Sequence, residues 1–190
     1  MLLSRRVAAV ASSAIIAVAL AACDTDQVGA AAVVGGDRIT VAELQDHARE
    51  VVEVSPNAEI TGDQAELQRG LLNRMISFRL NDQVARDAGV TISEADIDQF
   101  IDEQLIPQTP DGDLTPLLAQ NLLTEQTLRD AVRQVLTIEE LGGSEAYAEA
   151  ITTAAEQVGV EVNPRYGTWD GVQLVQESGS ISVPVGDPTQ

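Results

Sequence analysis

The sequence contains no lysine, and its 11 basic residues, all arginines, are outnumbered by 30 acidic residues. The formal net charge is −19 at pH 7. Nucleic acids are bound through lysine and arginine contacts to phosphates, so this balance argues against a nucleic-acid partner. It also argues against electrostatic adhesion to an anionic membrane, which needs clustered basic residues. An acidic excess of this size is typical of a soluble protein surface.

Aromatic residues are also scarce, at 3% of the chain, so the core is expected to consist mainly of Leu, Val, Ile and Ala. Cys23 is the only cysteine, which excludes an internal disulfide, and His47 is the only histidine. One cysteine and one histidine argue against a tetrahedral zinc site. His47 has acidic neighbours in a predicted helix, and we interpret it as a surface residue. A length of 190 residues favours one domain with tails.

Catalytic motifs are absent from the sequence. A Ser-His-Asp triad would have to use His47, and there is no G-x-S-x-G nucleophile elbow. No phosphate-binding P-loop is present either. Two acidic pairs, Asp96 with Asp98 and Asp102 with Glu103, lie on the polar side of a predicted helix. Paired carboxylates can perform acid–base catalysis, but a solvated helix face is the favoured interpretation here. We therefore predict that the protein is not an enzyme and holds no cofactor.

Asp111 and Asp113 flank Gly112 in a predicted loop and raise the question of a calcium site. The EF-hand pattern needs further acidic positions and a terminal glutamate at a fixed offset, and both are missing. Aspartate and glycine are also the ordinary residues of tight turns. We predict a turn here and no metal.

The first 22 residues read as a targeting segment. Arg5 and Arg6 precede 16 residues, Val7 to Ala22, with only small polar interruptions. This is the pattern of a signal peptide, and it is shorter than the ~20 apolar residues of a membrane-spanning helix. Without these two arginines, nine basic residues remain against 30 acidic ones, a formal charge of −21.

The sequence Leu20-Ala21-Ala22-Cys23 resembles the bacterial lipobox. The resemblance implies cleavage before Cys23 and lipidation of its thiol. Two or more acyl chains anchor a protein stably to a membrane, where one chain is marginal. The alternative is an ordinary secretory peptide followed by a free thiol. The expected location is the extracytoplasmic face of the cell membrane, with residues 23–30 as a tether.

Residues 64–105 are expected to form the organising element of the fold, a long helix, a break and a second helix. Two adjacent ridges of apolar residues make the first helix apolar over more than the ~100° of a helix that rests on one surface. Gly89 suits the left-handed position that ends this helix. Ser93, with Asp96, suits the start of the second, and Pro107 is expected to stop it. The ridges are Leu67, Leu71, Met75 and Phe78, and Leu72, Ile76, Leu80, Val84 and Ala88.

The other predicted elements surround this pair. Thr40 and Glu43 form a capping box at the start of a first helix whose stripe includes Leu44 and Val51. A mobile tail, with room for one short strand, is expected over residues 171–190, so the domain is placed at residues 31–170. The remaining predictions are a strand at Ala31–Val34, a helix at Leu117–Leu122 with Thr115 as its N-cap, two further helices with Thr124 and Ser144 as their N-caps, and a strand at Val160–Val162.

Three segments resemble the N-terminal module of the SurA and PrsA-type secretion chaperones. They are V-G-G-D-R-I-T-V-A-E-L at 34–44, the run from Met75 to Ile101 with A-R-D-A-G-V and T-I-S-E-A-D-I-D, and V-E-V-N-P-R-Y-G-T-W at 160–169. The third segment, residues 160–169, resembles actinobacterial SurA-like lipoproteins. The resemblance implies a mostly α fold with a small sheet formed by the N- and C-terminal strands. Val160–Val162 would pair with Ala32–Val34 or with Arg38–Thr40.

Many members of this family carry a parvulin prolyl-isomerase domain between the helical module and the closing helix. Here the junction is only Gly142-Gly143-Ser144, and the glycine- and histidine-rich parvulin motifs are missing. The resemblance therefore implies a lipid-anchored chaperone that binds unfolded secreted polypeptides without isomerising proline. The alternative is a surface lipoprotein that holds one specific protein partner.

Candidate peptide-binding residues are the apolar side chains of the central helices and two late aromatics. Flexible methionine and aliphatic linings suit promiscuous binding, and Trp and Tyr are favoured anchors. Each candidate has a second interpretation as a core residue, which is the favoured one for each residue taken singly, and the prediction is that some of the helical candidates remain accessible. The candidates are Leu71, Met75, Phe78, Ile97, Phe100, Ile101, Tyr166 and Trp169.

Overall fold

A computed structural model describes residues 29–55 and 64–176. The predicted signal peptide, Cys23 and most of the tether lie outside the described residues, as do the last 14 positions, 177–190. The helices are α1 Val41–Val54, α2 Gln64–Ala88, α3 Glu94–Phe100, α4 Thr115–Asn121, α5 Glu125–Glu140 and α6 Ser144–Val158. The strands are β1 Ala30–Val34, β2 Asp37–Thr40, β3 Val160–Val162, β4 Thr168–Trp169 and β5 Leu174–Val175. The fold is mostly α, as predicted.

Helix α2 is the central element of the fold. It packs against α1, α5, α6 and the β1 strand, so it is covered from several sides as its wide apolar stripe predicts. Gly89 has φ +68° and ends the helix in the left-handed conformation, which glycine adopts without steric cost. The buried residues of α2 are Leu71, Leu72, Ile76, Leu80, Asn81 and Val84.

The two ends of the domain meet in one antiparallel sheet. Its strand order is β2-β1-β3, with β1 in the centre. Ala32 is the partner of Val162, and Val34 is the partner of Val160. Of the two expected pairings, the one with Ala32–Val34 is therefore correct. A separate pair, β4 with β5, follows as a short hairpin.

Three helix starts carry reciprocal side-chain caps. The Thr40 hydroxyl accepts a hydrogen bond from Glu43 N, and the Glu43 carboxylate accepts one from Thr40 N. Ser93 and Asp96 make the equivalent pair at α3. Thr124 does so at α5 with Thr127 in place of an acidic residue. The capping boxes at α1 and α3 and the cap at Thr124 confirm the sequence predictions, since these signals act within four residues.

The second helix does not run as an α-helix to Pro107. It ends at Phe100 and continues as a π-helical turn, Ile101–Leu105, followed by a 3₁₀ turn, Ile106–Gln108. The Ile106 N–H donates to the Ile101 carbonyl, a spacing of five residues. Pro107 has no N–H and its ring crowds the carbonyl four residues earlier, so the α-helical pattern cannot pass through it. The hydrogen bonding changes from α-helical to π-helical and then to 3₁₀, so the helical segment continues past Pro107 and does not end there.

Two further boundaries differ from the sequence prediction. Helix α4 begins at Thr115, with Leu114 as its N-cap, and it ends before Leu122, which has φ +52°. Helix α6 begins at Ser144 with Gly143 as its N-cap, so Ser144 is inside the helix and does not cap it. Beyond the predicted domain end at residue 170, Leu174 is buried in the core as part of β5.

The buried side chains form three clusters. The main cluster lies between α1, α2, α6 and the sheet, the second between α3, α4 and α5, and the third where α6 meets α2. Within residues 29–55 and 64–176, no helix has both the length and the apolar character needed to cross a membrane.

Candidate functional site

An open groove lies between α1 and the start of α2, with a volume of about 740 Å³. Its apolar floor consists of Ala48 and Val52 on α1 and Leu67 on α2. Val52 is 43% exposed, which makes it one of three large apolar residues on the surface of the described chain. A volume of this size lies within the range of ligand sites in proteins. The groove is therefore a candidate site for binding an apolar segment.

The rim of this groove is polar and includes one residue of each charge. Three glutamines, Gln45, Gln64 and Gln68, border it, together with Arg49 and Glu53. Arg49 is ion-paired with Asp46, so its charge is already compensated. A side-chain amide both donates and accepts hydrogen bonds, which is the complement of a peptide main chain. This combination suits an apolar polypeptide in an extended form better than a charged small molecule.

His47 lies on the opposite edge of α1 and is buried, with 8% of its surface exposed. The prediction of a surface histidine is wrong, because Leu44, His47 and Val51 share the buried face of the helix. Burial lowers the pKa of His47, partly offset by the nearby Glu50 carboxylate. Its Nε2 atom has no hydrogen-bond partner among the described residues. The neutral form is therefore favoured at this position.

Arg74 fixes the end of α4 beside this histidine. Its Nη1 donates to the Leu122 carbonyl at 2.7 Å, and its Nη2 donates to the Asn121 carbonyl at 3.3 Å. These carbonyls belong to a helix C-terminus, which is electronegative and lacks intrahelical donors. Burial lowers the pKa of Arg74. Ser55 adds a second tie, donating from its hydroxyl to the Ala119 carbonyl at 3.0 Å.

The candidates from sequence do not lie on one surface. Leu71, Ile97 and Tyr166 are buried, so they cannot contact a bound polypeptide in this conformation. Met75 and Trp169 are half-buried against the main cluster. Tyr166 and Trp169 thus belong to the core, as the favoured interpretation has it.

The other three candidates keep part of their surface accessible. Phe78 is half-buried on α2. Phe100 and Ile101 are half-buried against the second cluster. Each of these two borders a separate shallow groove beside α3, of about 310 Å³ for Phe100 and about 490 Å³ for Ile101.

The groove residues Val52 and Gln68 were not predicted from the sequence. Val52 stands next to Val51, so it extends the apolar stripe of α1 by one residue at its flank. That extension is a weak signal, because single exposed apolar residues are common. Leu67 was predicted to belong to an apolar ridge of α2, but the sequence does not show which residues of that ridge remain exposed.

Metal ligation has no support in the described part of the chain. Within residues 29–55 and 64–176, no three His, Cys, Asp or Glu side chains come together closely enough to hold an ion. Asp113 instead accepts a hydrogen bond from Thr115 N at 2.9 Å. Asp111 has φ +56°, as expected for an aspartate in a tight turn.

Comparison with known proteins gives one clear finding. The family model for the SurA-like N-terminal domain matches residues 4–142, which include α1 to α5 and end in the turn before α6. No significant match was found among curated proteins or among solved structures. The match extends over more than half of the sequence and agrees with the helical module and its capping signals. The chain belongs to the SurA-like N-terminal domain family.

Proposed function

We propose that this protein is a lipid-anchored extracytoplasmic chaperone that binds unfolded secreted polypeptides. The observation that carries the proposal is the groove between α1 and α2, in which the exposed Val52 and the half-buried Leu67 and Ala48 lie under a rim of glutamines. Membership of a chaperone-related family supports it.

Binding would be reversible and tolerant of sequence. The floor offers aliphatic carbon to the side chains of an unfolded segment, which removes their surface from water. The amides of the three rim glutamines can donate to and accept from the main chain of the client, whose N–H and C=O groups are the same in every sequence. Such a site does not select one client over others.

The proposal includes no prolyl-isomerase activity and no other catalysis. Helix α5 ends at Glu140 and α6 begins at Ser144, so three residues connect them. Those residues form a tight turn in which Gly143 N donates to the Ile138 carbonyl at 2.9 Å. This short turn leaves no room at that position for an inserted isomerase domain.

Anchoring is assigned to Cys23, which follows the lipobox-like Leu20–Ala22 and lies outside the described residues. The expected result of Cys23→Ser is release of the protein from the membrane fraction, because the acyl chains supply the attachment. Cell fractionation with an antibody against the chain measures it. Retention of the Cys23→Ser protein in the membrane fraction would show that the anchor lies elsewhere.

The chaperone proposal is tested by client breadth. Residues 24–190 are purified and mixed with several unrelated, chemically unfolded proteins, and light scattering follows their aggregation. Suppression for most clients at a modest molar excess is the expected result. Suppression of none, combined with tight capture of one native protein, would favour the alternative of a scaffold for a single partner.

A further inference from the structure

A second groove lies between the π-helical turn and the starts of α4 and α5, with a volume of about 490 Å³. Four apolar residues line it, Ile101, Leu114, Leu118 and Leu128. Leu118 and Leu128 are each 6% exposed and belong to the second buried cluster, so the accessible apolar surface comes from the half-buried Ile101 and Leu114. π-helical turns are rare and frequently occur at functional sites.

Carboxylates dominate the rim of this groove. It is lined by Asp98, Asp102, Asp113, Glu125 and a single cation, Arg129. Four carboxylates and one guanidinium give a formal net charge of −3. The rim thus differs sharply from the glutamine rim of the groove between α1 and α2.

The one cation does not neutralise the rim. Arg129 Nη1 donates to Asp98 at 2.7 Å, and its Nη2 donates to Glu94 at 2.6 Å, outside the groove. Asp102 and Glu125 are exposed, and neither makes an ion pair with another described residue. Two carboxylates therefore remain available above an apolar floor.

The opposite side of the same helical segment is negative as well. A groove of about 310 Å³ beside Phe100 is bordered by Asp96, Glu103, Glu139 and Glu140 and by no basic residue. Glu139 and Glu140 end α5, which has no basic residue in its last turn. A helix C-terminus is itself electronegative, so nothing local offsets these charges. Arg129 and Arg133 pair with Glu94 and Asp98, and the carboxylates on the two flanks still outnumber these two cations around residues 94–105.

Lysine and arginine side chains fit this combination of floor and rim. Their aliphatic stems cover apolar surface while the charged head reaches outward to polar groups. A metal ion is a poor fit, because it gains nothing from an apolar floor, and no metal-binding cluster of His, Cys, Asp or Glu occurs in the two described ranges.

We propose that the groove beside the π-helical turn binds polypeptide segments in which lysine or arginine stands next to apolar residues. The inference rests on the proposed function and names a class of client for it. The groove between α1 and α2 accepts uncharged apolar segments, and this one adds a preference for basic ones.

The test compares two fluorescent peptides with one apolar core, flanked either by lysines or by glutamates, and an uncharged version as reference. Binding to residues 24–190 is measured by anisotropy at low salt. We expect the lysine peptide to bind roughly fivefold more tightly than the uncharged one, and the difference to disappear at high salt. Equal affinities at low salt would overturn the inference.

Variants separate the groove from the overall negative charge of the protein. Asp102→Asn with Glu125→Gln removes two carboxylates from the rim, and Glu149→Gln with Glu156→Gln removes two exposed ones from α6. The lysine preference should fall in the first variant and persist in the second. Asp102→Asn alone is a further check, since Glu125 also lies in the first turn of α5. Equal losses in both double variants would overturn the inference.

The uncharged peptide distinguishes this inference from the proposed function. If it binds all variants equally while the lysine preference is absent, the proposed function stands and the inference fails. If no peptide binds the unmodified protein, both fail.

Discussion

The side-chain amide of Asn163 donates a hydrogen bond to the Ala30 carbonyl at 3.2 Å, across 133 residues of the chain. Asn163 N donates a second bond to the Ala31 carbonyl at 2.9 Å. The segment after β3 is thus tied to the start of the domain. Because β1 is the central strand, the sheet closes only when both ends of the domain are present.

Removing the C-terminal strands should unfold the domain. A chain ending at residue 158 loses β3 and the buried Tyr166 and Leu174. Each buried large side chain contributes roughly 1.5–3 kcal/mol, and a domain has only ~5–15 kcal/mol in total. Thermal melts followed by circular dichroism should show a large drop in Tm or no cooperative transition.

The matched control for this truncation ends at residue 176 and retains every described residue. It should melt like a chain of residues 24–190. A chain ending at residue 170 should be intermediate, since it loses Leu174 but keeps β3. Identical melting of the 158 and 176 truncations would show that the C-terminal strands do not close the fold.

Replacement by alanine at two glycines should change the free energy of unfolding in opposite directions. A Cβ on Gly167 would lie 2.3 Å from the Val175 carbonyl oxygen, at a φ of +127° that alanine rarely adopts. A Cβ on Gly70, inside α2, meets nothing within 4 Å. Gly70→Ala should raise the free energy of unfolding by about 0.5–1 kcal/mol, and Gly167→Ala should lower it. Urea denaturation of the two variants measures both, and a Gly167→Ala protein as stable as the unmodified one would contradict the close packing in the β4–β5 hairpin.

Sequence signals that act locally were sufficient for much of the fold. The capping boxes at Thr40 and Ser93 and the end of α2 at Gly89 depend on neighbouring residues only, and the structure confirms them. The return of Val160–Val162 to the N-terminal strands came from the family resemblance, which carries tertiary information that periodicity does not, and the structure decides for β1 over β2.

The site could not be predicted in the same way. Which flank of α1 is buried depends on how it meets α2 and α4, and this decides that His47 is inside and Val52 is outside. Phe100 and Ile101 were identified as candidates, but the π-helical turn that begins at Ile101 depends on the conflict with Pro107 further along the chain. The two grooves beside α3 arise from that packing and not from a motif.

Acidification should destabilise the protein through His47. Burial depresses its pKa below the ordinary value of 6.5, with Glu50 and Asp130 acting upward and Arg74 downward. The unfolded chain therefore binds a proton at a higher pH than the folded one. The stabilising contribution of the neutral side chain is complete above pH 6.5 and is lost as the pH falls through that value toward the lower folded pKa.

His47→Gln removes this titration while keeping a neutral polar side chain. We expect the difference in unfolding free energy between the unmodified protein and the variant to shrink as the pH falls from 7.5 to 5. Contributions of carboxyl groups common to both proteins cancel in this difference. Denaturant midpoints across this range measure it, and a difference independent of pH would show that His47 titrates normally in the folded state.

The central claim, that the groove between α1 and α2 binds unfolded polypeptide, is tested most directly by two matched substitutions. Val52 and Val135 are exposed to a similar extent, 43% and 39%, and only Val52 lines the groove. Affinity for an uncharged apolar peptide is measured with Val52→Asp and with Val135→Asp, after melts establish that both fold. A carboxylate on the groove floor should weaken binding roughly tenfold, about 1.4 kcal/mol, while the same charge on α5 leaves it unchanged. Equal affinities for the two variants would contradict the account.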